Sequence, residues 1–169
     1  GGSTITMQVA RNFFLTRDRT YERKLKEILL ALKIERALSK DEILELYLNK
    51  IFLGHRAYGI GAAASVYYGV PLDELSIAQA AMLAALPKAP SDLNPVSNPD
   101  KAVSRRHYVL TRMRALGMIS GEAFAQADAA PVSAKLRSTP VDVNAPYVAE
   151  MARSFVLDLL GPNAYTDGY

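Results

Sequence analysis

Residues 21–38 read YERKLKEILLALKIERAL, and this stretch decides the fold class. Leu25, Ile28, Leu29 and Leu32 recur at the spacing of one face of an α-helix, so the expectation is a helix over 21–38 with that stripe buried. The same period extends outward in both directions. Upstream, Ile5 to Phe14 is a short helix behind Gly-Gly-Ser-Thr. Downstream, Ser39 with Glu42 three residues later forms a capping box that opens a helix running to about Phe52. Further helices are expected at Tyr58–Tyr68, Asp73–Leu86, Pro99–Leu116, Gly121–Ala129 and Ala145–Leu160. Asn98-Pro99 supplies a cap and an N1 proline, and Gly117 and Gly161 suit helix ends. No alternating run of useful length appears, so the expected class is mainly α with few strands.

The chain has 169 residues, half of them hydrophobic and 22% charged, which places it among ordinary globular proteins. It has no cysteine, which excludes disulfides, thiolate metal sites and a cysteine nucleophile. Two histidines, His55 and His107, make a His-rich metal site improbable on composition, and both read as structural. The longest stretch without Asp, Glu, Lys or Arg runs from Ala57 to Leu72, broken by glycines and Pro71. A membrane-spanning helix needs about 20 mostly apolar residues, so none is expected, nor is a signal peptide. The chain opens on Gly1 rather than Met, which reads as a piece cut from something longer.

The net charge of +3 hides an asymmetry. Residues 1–40 carry nine basic and four acidic side chains, whereas the rest is slightly acidic. A basic first quarter fits an anionic partner such as phosphate groups, a membrane surface or nucleic acid, or simply a solvated helical face. Its aromatic residues are not interleaved with the cations as stacking on single-stranded nucleic acid requires, which argues against that partner. Lys88 to Pro99 reads as an ordered loop. Pro131 to Pro146, with a Val141-Asp-Val alternation, reads as a linker or short strand.

Two helices carry candidate chemistry. Thr4, Gln8 and Arg11, at i, i+4 and i+7, share one face, and a hydroxyl, an amide and a guanidinium near a helix N-terminus suit a phosphate or a sugar. A plain amphipathic helix would look the same. On the next helix, Glu27 lies one turn beyond Arg23, on the side away from the leucine stripe, with Lys24 and Lys26 beside it. A carboxylate among three cations has a lowered pKa, which suits it to orienting cations or substrate hydroxyls more than to donating a proton. The alternative is an exposed Arg–Glu pair contributing a few tenths of a kcal/mol. Tyr47, Asn49, Tyr67 and Tyr68 read first as core polar groups and second as sugar contacts.

Taken together, GGSTITMQVARN (1–12), RKLKE (23–27), ELYLNKIFLG (45–54) and LSIAQAAMLAALPKAP (75–90) resemble four of the five motifs of the peptidoglycan glycosyltransferase domain of bifunctional class A penicillin-binding proteins. The order and spacing match, and the similarity continues through residues 98–113 and into 145–168. The resemblance implies a lysozyme-like helical domain over 1–138 and, over 139–169, a connector towards a transpeptidase domain. It implies polymerisation of lipid II into β-1,4 glycan with release of undecaprenyl pyrophosphate. The implied setting is the outer face of the bacterial cytoplasmic membrane, anchored by a segment outside this chain. The implied partners are lipid II, the growing glycan, the membrane surface and other cell-wall synthesis proteins, with no nucleic acid. No cofactor is implied for certain, and no protein-held metal; a divalent cation is left open.

Residue by residue, the motifs place Thr4, Gln8, Arg11 and Arg23 around donor or phosphate, with Lys24 in the same motif, and make Glu27 an essential carboxylate. The family's first motif, with its general-base glutamate, would lie upstream of Gly1, so the chain as written is expected not to turn over. Met7, Arg11 and Gln79 depart from the family's usual glutamine, lysine and glutamate. A lysozyme-like glycan hydrolase and a non-catalytic membrane-surface binding module are the alternatives.

Overall fold

The computed structural model describes residues 2–15, 20–137 and 146–160. Eight α-helices lie within them: α1 (Ile5–Phe14), α2 (Tyr21–Ala37), α3 (Lys40–Lys50), α4 (Ile60–Tyr68), α5 (Ile77–Ala85), α6 (Pro99–Ala115), α7 (Gly121–Ala129) and α8 (Pro146–Leu160). Single 3₁₀ turns occupy Leu72–Glu74 and Leu86–Lys88. The only strand-like pairing among the described residues is an isolated antiparallel bridge between Phe52 and Tyr58. The mainly α expectation therefore holds.

Local chemistry sets the helix starts. Thr4, Thr20 and Ser120 each accept a hydrogen bond from the backbone three residues on, satisfying an otherwise orphaned N–H. Ser39 with Glu42 and Ser76 with Gln79 form complete capping boxes. The second of these corrects one expectation: the helix expected over Asp73–Leu86 is a 3₁₀ turn followed by α5, because the Ser76–Gln79 box restarts it. It also accounts for Gln79, since glutamine fills the reciprocal position of a capping box as glutamate does. At α6 the proline stands at N1 as expected, but the Asn98 side chain makes no cap and instead donates to Ser91 O at 3.3 Å.

The chain divides into two compact units, residues 1–138 and 139–169. In the first, α1 packs on α2 and α3, α5 on α6, and α6 on α7. Its main core gathers Val9, Ile43, Tyr47, Ile51, Leu53, Tyr67, Leu83 and Leu86, and a smaller cluster joins Ala78, Ala81, Leu110 and Ala127. Tyr47, Tyr67 and Tyr68 are core residues. The Tyr67 hydroxyl donates to Leu53 O and accepts from Asn94 Nδ2, both at 2.8 Å. Asn94 Oδ1 in turn accepts from Val96 and Ser97 N–H, which orders the 88–99 loop. Burial pushes the Tyr68 phenol up to about 12, against the opposing pull of Arg106. Residues 131–137 run extended along α4, with Lys135 and Arg137 N–H donating to Tyr67 O and Val66 O. The Val141-Asp-Val alternation and Gly161 lie outside the described residues. In the second unit, α8 carries Tyr147, Met151, Phe155 and Leu159 at four-residue intervals, all exposed.

The largest correction concerns α2. Leu25, Leu29 and Leu32 are 58%, 54% and 54% exposed, and Ile28 is exposed as well. The buried side is the opposite one, with Glu27 and Ala31 inside and Ile34 packed against the core. Periodicity fixes which residues share a face but not which face turns inward. Here α1 packs on α2 with Thr6, Val9 and Ala10 buried, Thr6 bonded to Glu35 and Ser3 reaching Lys24 and Glu27.

Candidate active site

The inverted α2 places its charged residues against the segment leading into α1. Glu27 is 1% exposed, and both of its carboxylate oxygens are engaged. Arg23 Nη1 donates to Oε2 at 2.7 Å, and Lys24 Nζ donates to Oε1 at 2.5 Å. Lys24 Nζ also donates to Ser3 Oγ at 2.8 Å, and Ser3 Oγ lies 3.4 Å from Glu27 Oε1. The pair is thus buried, not the exposed Arg–Glu contact that the sequence left open. Burying an ion pair costs desolvation that only good geometry offsets, and removing one partner strands the other.

Two opposing effects act on Glu27. Burial pushes its carboxyl up, and hydrogen bonds and charge from Lys24 and Arg23 pull it down further, so it sits below the ordinary carboxylate value. Lys26 does not take part: it turns outward to pair with Glu22. Two cations, not three, hold the carboxylate. Arg23 Nε is also buried, with no hydrogen-bond partner among the described residues. An unpaired buried donor of this kind is costly, and a ligand oxygen would satisfy it.

The α1 residues divide. The Thr4 hydroxyl accepts from Met7 N–H at 3.2 Å and serves as N-cap, so one of its lone pairs is already engaged. Gln8 is half-buried, and Arg11 is exposed. The Arg11 charge lies close enough to lower the Tyr47 phenol, which burial raises. Among the described residues no hydrogen bond or ion pair joins Gln8 or Arg11 to the Arg23–Lys24–Glu27 group. The structure therefore brings Arg23, Lys24 and Glu27 together directly, and seats Thr4, Gln8 and Arg11 on the helix that packs over them.

Two participants were not foreseen from sequence. Ser3 reaches into the cluster from the residue before the N-cap, a position without a pattern signal. Two turns farther along α2, Glu35 Oε1 accepts from buried Thr6 of α1 at 2.6 Å, and Lys40 pairs with Glu35 at 3.0 Å. This second carboxylate lies in a separate group and tethers α1 to α2 and α3. His107 pairs with Asp128 at 2.8 Å and packs against Phe124, and His55 packs edge-on to Tyr67. Among the described residues no group of three or more His, Asp or Glu could hold a metal ion.

Residues 1–114 match the family model described as Transglycosylase. Over its whole length the chain is 56% identical to penicillin-binding protein 1A of Pseudomonas aeruginosa and 51% identical to that of Escherichia coli, covering 21% and 20% of those proteins. It is 63% identical over 120 residues to a putative transglycosylase of Cupriavidus necator, covering 71% of this chain and 52% of that protein. The crystal structure of penicillin-binding protein 1A from Haemophilus influenzae aligns with a TM-score of 0.60 at 34% identity, over 96% of this chain and 20% of that one. The chain spans about a fifth of the length of its penicillin-binding relatives. With two-thirds of its residues inside the family model and these similarities running end to end, the chain belongs to the transglycosylase family.

Proposed function

We infer that this chain is glycosyltransferase machinery of a peptidoglycan polymerase acting on lipid II. In this reading the 4-hydroxyl of an acceptor sugar attacks the anomeric carbon of the growing glycan and gives its proton to a general base other than Glu27. The bond to the lipid pyrophosphate breaks as the β-1,4 bond forms, and undecaprenyl pyrophosphate leaves. Negative charge grows on the pyrophosphate in the transition state, where fixed cations stabilise it most. The observation that carries the reading is the buried cluster in which Glu27 holds Arg23 and Lys24 together, with a donor on Arg23 left unsatisfied among the described residues. Thr4, Gln8 and Arg11 belong to the donor side of the same site.

The exposed stripe of Tyr21, Leu25, Leu29 and Leu32, with Phe13 and Phe14 of α1, supports a membrane-surface partner. Apolar groups enter the lipid interface while nearby cations meet anionic headgroups. A lipid-linked substrate would be met at that surface, on the outer face of the cytoplasmic membrane. None of the described helices is long and apolar enough to cross a membrane. Residues 1–138 would form the glycosyltransferase unit, 139–169 the connector towards a transpeptidase domain, and other cell-wall synthesis proteins the wider assembly. Nucleic acid has no place in the reading.

A hydrolase would need a carboxylic acid with a raised pKa, and Glu27 is shifted the other way. Its lowered basicity also disfavours Glu27 as general base; in this reading residues 1–169 by themselves bind without turning over. In this reading a divalent cation, where one is used, acts on the substrate's diphosphate; activity with Mg²⁺ against EDTA tests this. The main test is lipid II polymerisation by a longer polypeptide containing this chain. Glycan polymer that disappears in the Glu27→Gln variant supports the reading. Cleavage of preformed glycan, or full activity of that variant, overturns it.

A further inference from the structure

We propose that Ser3 is a positioning residue that holds the Lys24 ammonium in place against Glu27. Lysine carries three N–H donors on a flexible four-carbon stem, and holding it in one geometry costs side-chain entropy. Lys24 is partly exposed, so Glu27 alone leaves it free to swing about the carboxylate. A second acceptor removes that freedom. Ser3 Oγ receives a hydrogen bond from Lys24 Nζ at 2.8 Å, while the same ammonium donates to Glu27 Oε1 at 2.5 Å. The direct Ser3–Glu27 contact, at 3.4 Å, is at the outer limit of a hydrogen bond. Ser3 therefore acts on Glu27 mainly through Lys24.

The position of Ser3 strengthens the case. It immediately precedes Thr4, whose side chain fixes the start of α1 by capping Met7. The Ser3 hydroxyl is thus carried on backbone anchored to α1, while Lys24 and Glu27 belong to α2. One oxygen joins the two helices at the charged cluster, and two of the three ammonium donors are spoken for. Among the described residues the third has no partner, and it is left for an anionic oxygen. That this oxygen belongs to a diphosphate ester rests on the glycosyltransferase reading; the positioning of Lys24 does not.

The test follows the Glu27 carboxyl by ¹³C NMR during a pH titration of the 169-residue chain. Ser3→Ala should move the Glu27 midpoint up towards the ordinary carboxylate value, because a loosened Lys24 stabilises the ionised form less. Ser3→Thr, which restores the hydroxyl, should return it. In a Lys24→Met background, Ser3→Ala should produce no further movement. Ser3→Gly provides a second, independent removal of the hydroxyl should Ser3→Ala fold poorly.

An unchanged midpoint in both hydroxyl-free variants, or the same shift with and without Lys24, overturns the proposal. So does a lowered melting temperature with the midpoint in place, which would make Ser3 a plain tether. Titration with inorganic pyrophosphate separates the two ideas. If Ser3→Ala moves the Glu27 midpoint but the wild-type chain binds no pyrophosphate, Ser3 positioning stands and the phosphate reading fails. In a longer, active polypeptide, Ser3→Ala should lower kcat roughly ten- to a hundredfold with KM little changed.

Discussion

Arg23 and Glu27, one helical turn apart, meet at 2.7 Å with the carboxylate 1% exposed and the guanidinium mostly covered. A pair that is marginal on a helix surface becomes a buried cluster because α1 closes over it. The cluster is ionic, so pH should read it. Glu27 sits below its ordinary value when folded, so it stabilises the fold above the unfolded pKa of about 4.3 and that stability is lost as pH falls through the lowered folded value. Glu27→Gln should remove this part of the acid dependence. Urea unfolding of both proteins between pH 7 and 3 checks it; identical slopes of stability against pH would refute it.

Arg23→Met should leave Glu27 buried with Lys24 as its one cation. The expected loss is about 3 kcal/mol at pH 7, and less in acid, where Glu27 takes up a proton. Chemical denaturation at the two pH values measures the difference. An equal loss at both would mean that packing, not charge, sets the cost.

The leucine stripe of α2 faces outward, so replacing it should cost little stability and much membrane affinity. Leu25→Ser with Leu29→Ser should change folding stability by no more than about 0.5 kcal/mol per site. Phe13→Asp with Phe14→Asp should do likewise at the end of α1. Both pairs should abolish sedimentation with phosphatidylglycerol vesicles. Retained sedimentation would remove the membrane from the account.

Arg106 is 3% exposed and donates from Nη2 to the carbonyls of Asp128 and Ala130 at 3.0 and 2.8 Å, closing the C-terminal end of α7 onto α6. Arg106→Leu should strand both carbonyls and lower stability by about 2–3 kcal/mol. Amide exchange should show the loosening first in α7. Unchanged protection there would show that the clamp contributes nothing.

Gly59 sits at φ 87°, and a Cβ there would fall 2.6 Å from Asn49 O. Gly59→Ala should therefore destabilise the junction of α3 and α4 by roughly 1–3 kcal/mol. A melting temperature equal to that of wild type would mean that the turn readjusts at little cost.

Helices were legible in the residues because their signals are local. The Ser39–Glu42 box, the N1 Pro99 and the bounds of α1 and α7 are each set within a few residues of chain. The restart at Ser76 was legible in the same way, yet a continuous apolar run masked it. The motifs likewise marked Arg23, Lys24 and Glu27 as one group, because residues one turn apart share a helix side wherever the helix is placed. What sequence could not supply was the side that faces inward. The α2 period is equally satisfied by a buried leucine stripe or a buried carboxylate, and the difference lies in partners distant in the chain. Ser3 comes to Lys24 across 21 residues and Thr6 to Glu35 across 29, and neither contact has a pattern. Sequence by itself determined the helical class, the starts of α1, α2, α3, α6 and α7 and the grouping of the charges. Tertiary structure alone decided that Glu27 is buried and the leucines exposed, because burial is settled by what packs against a helix and not by the period along it.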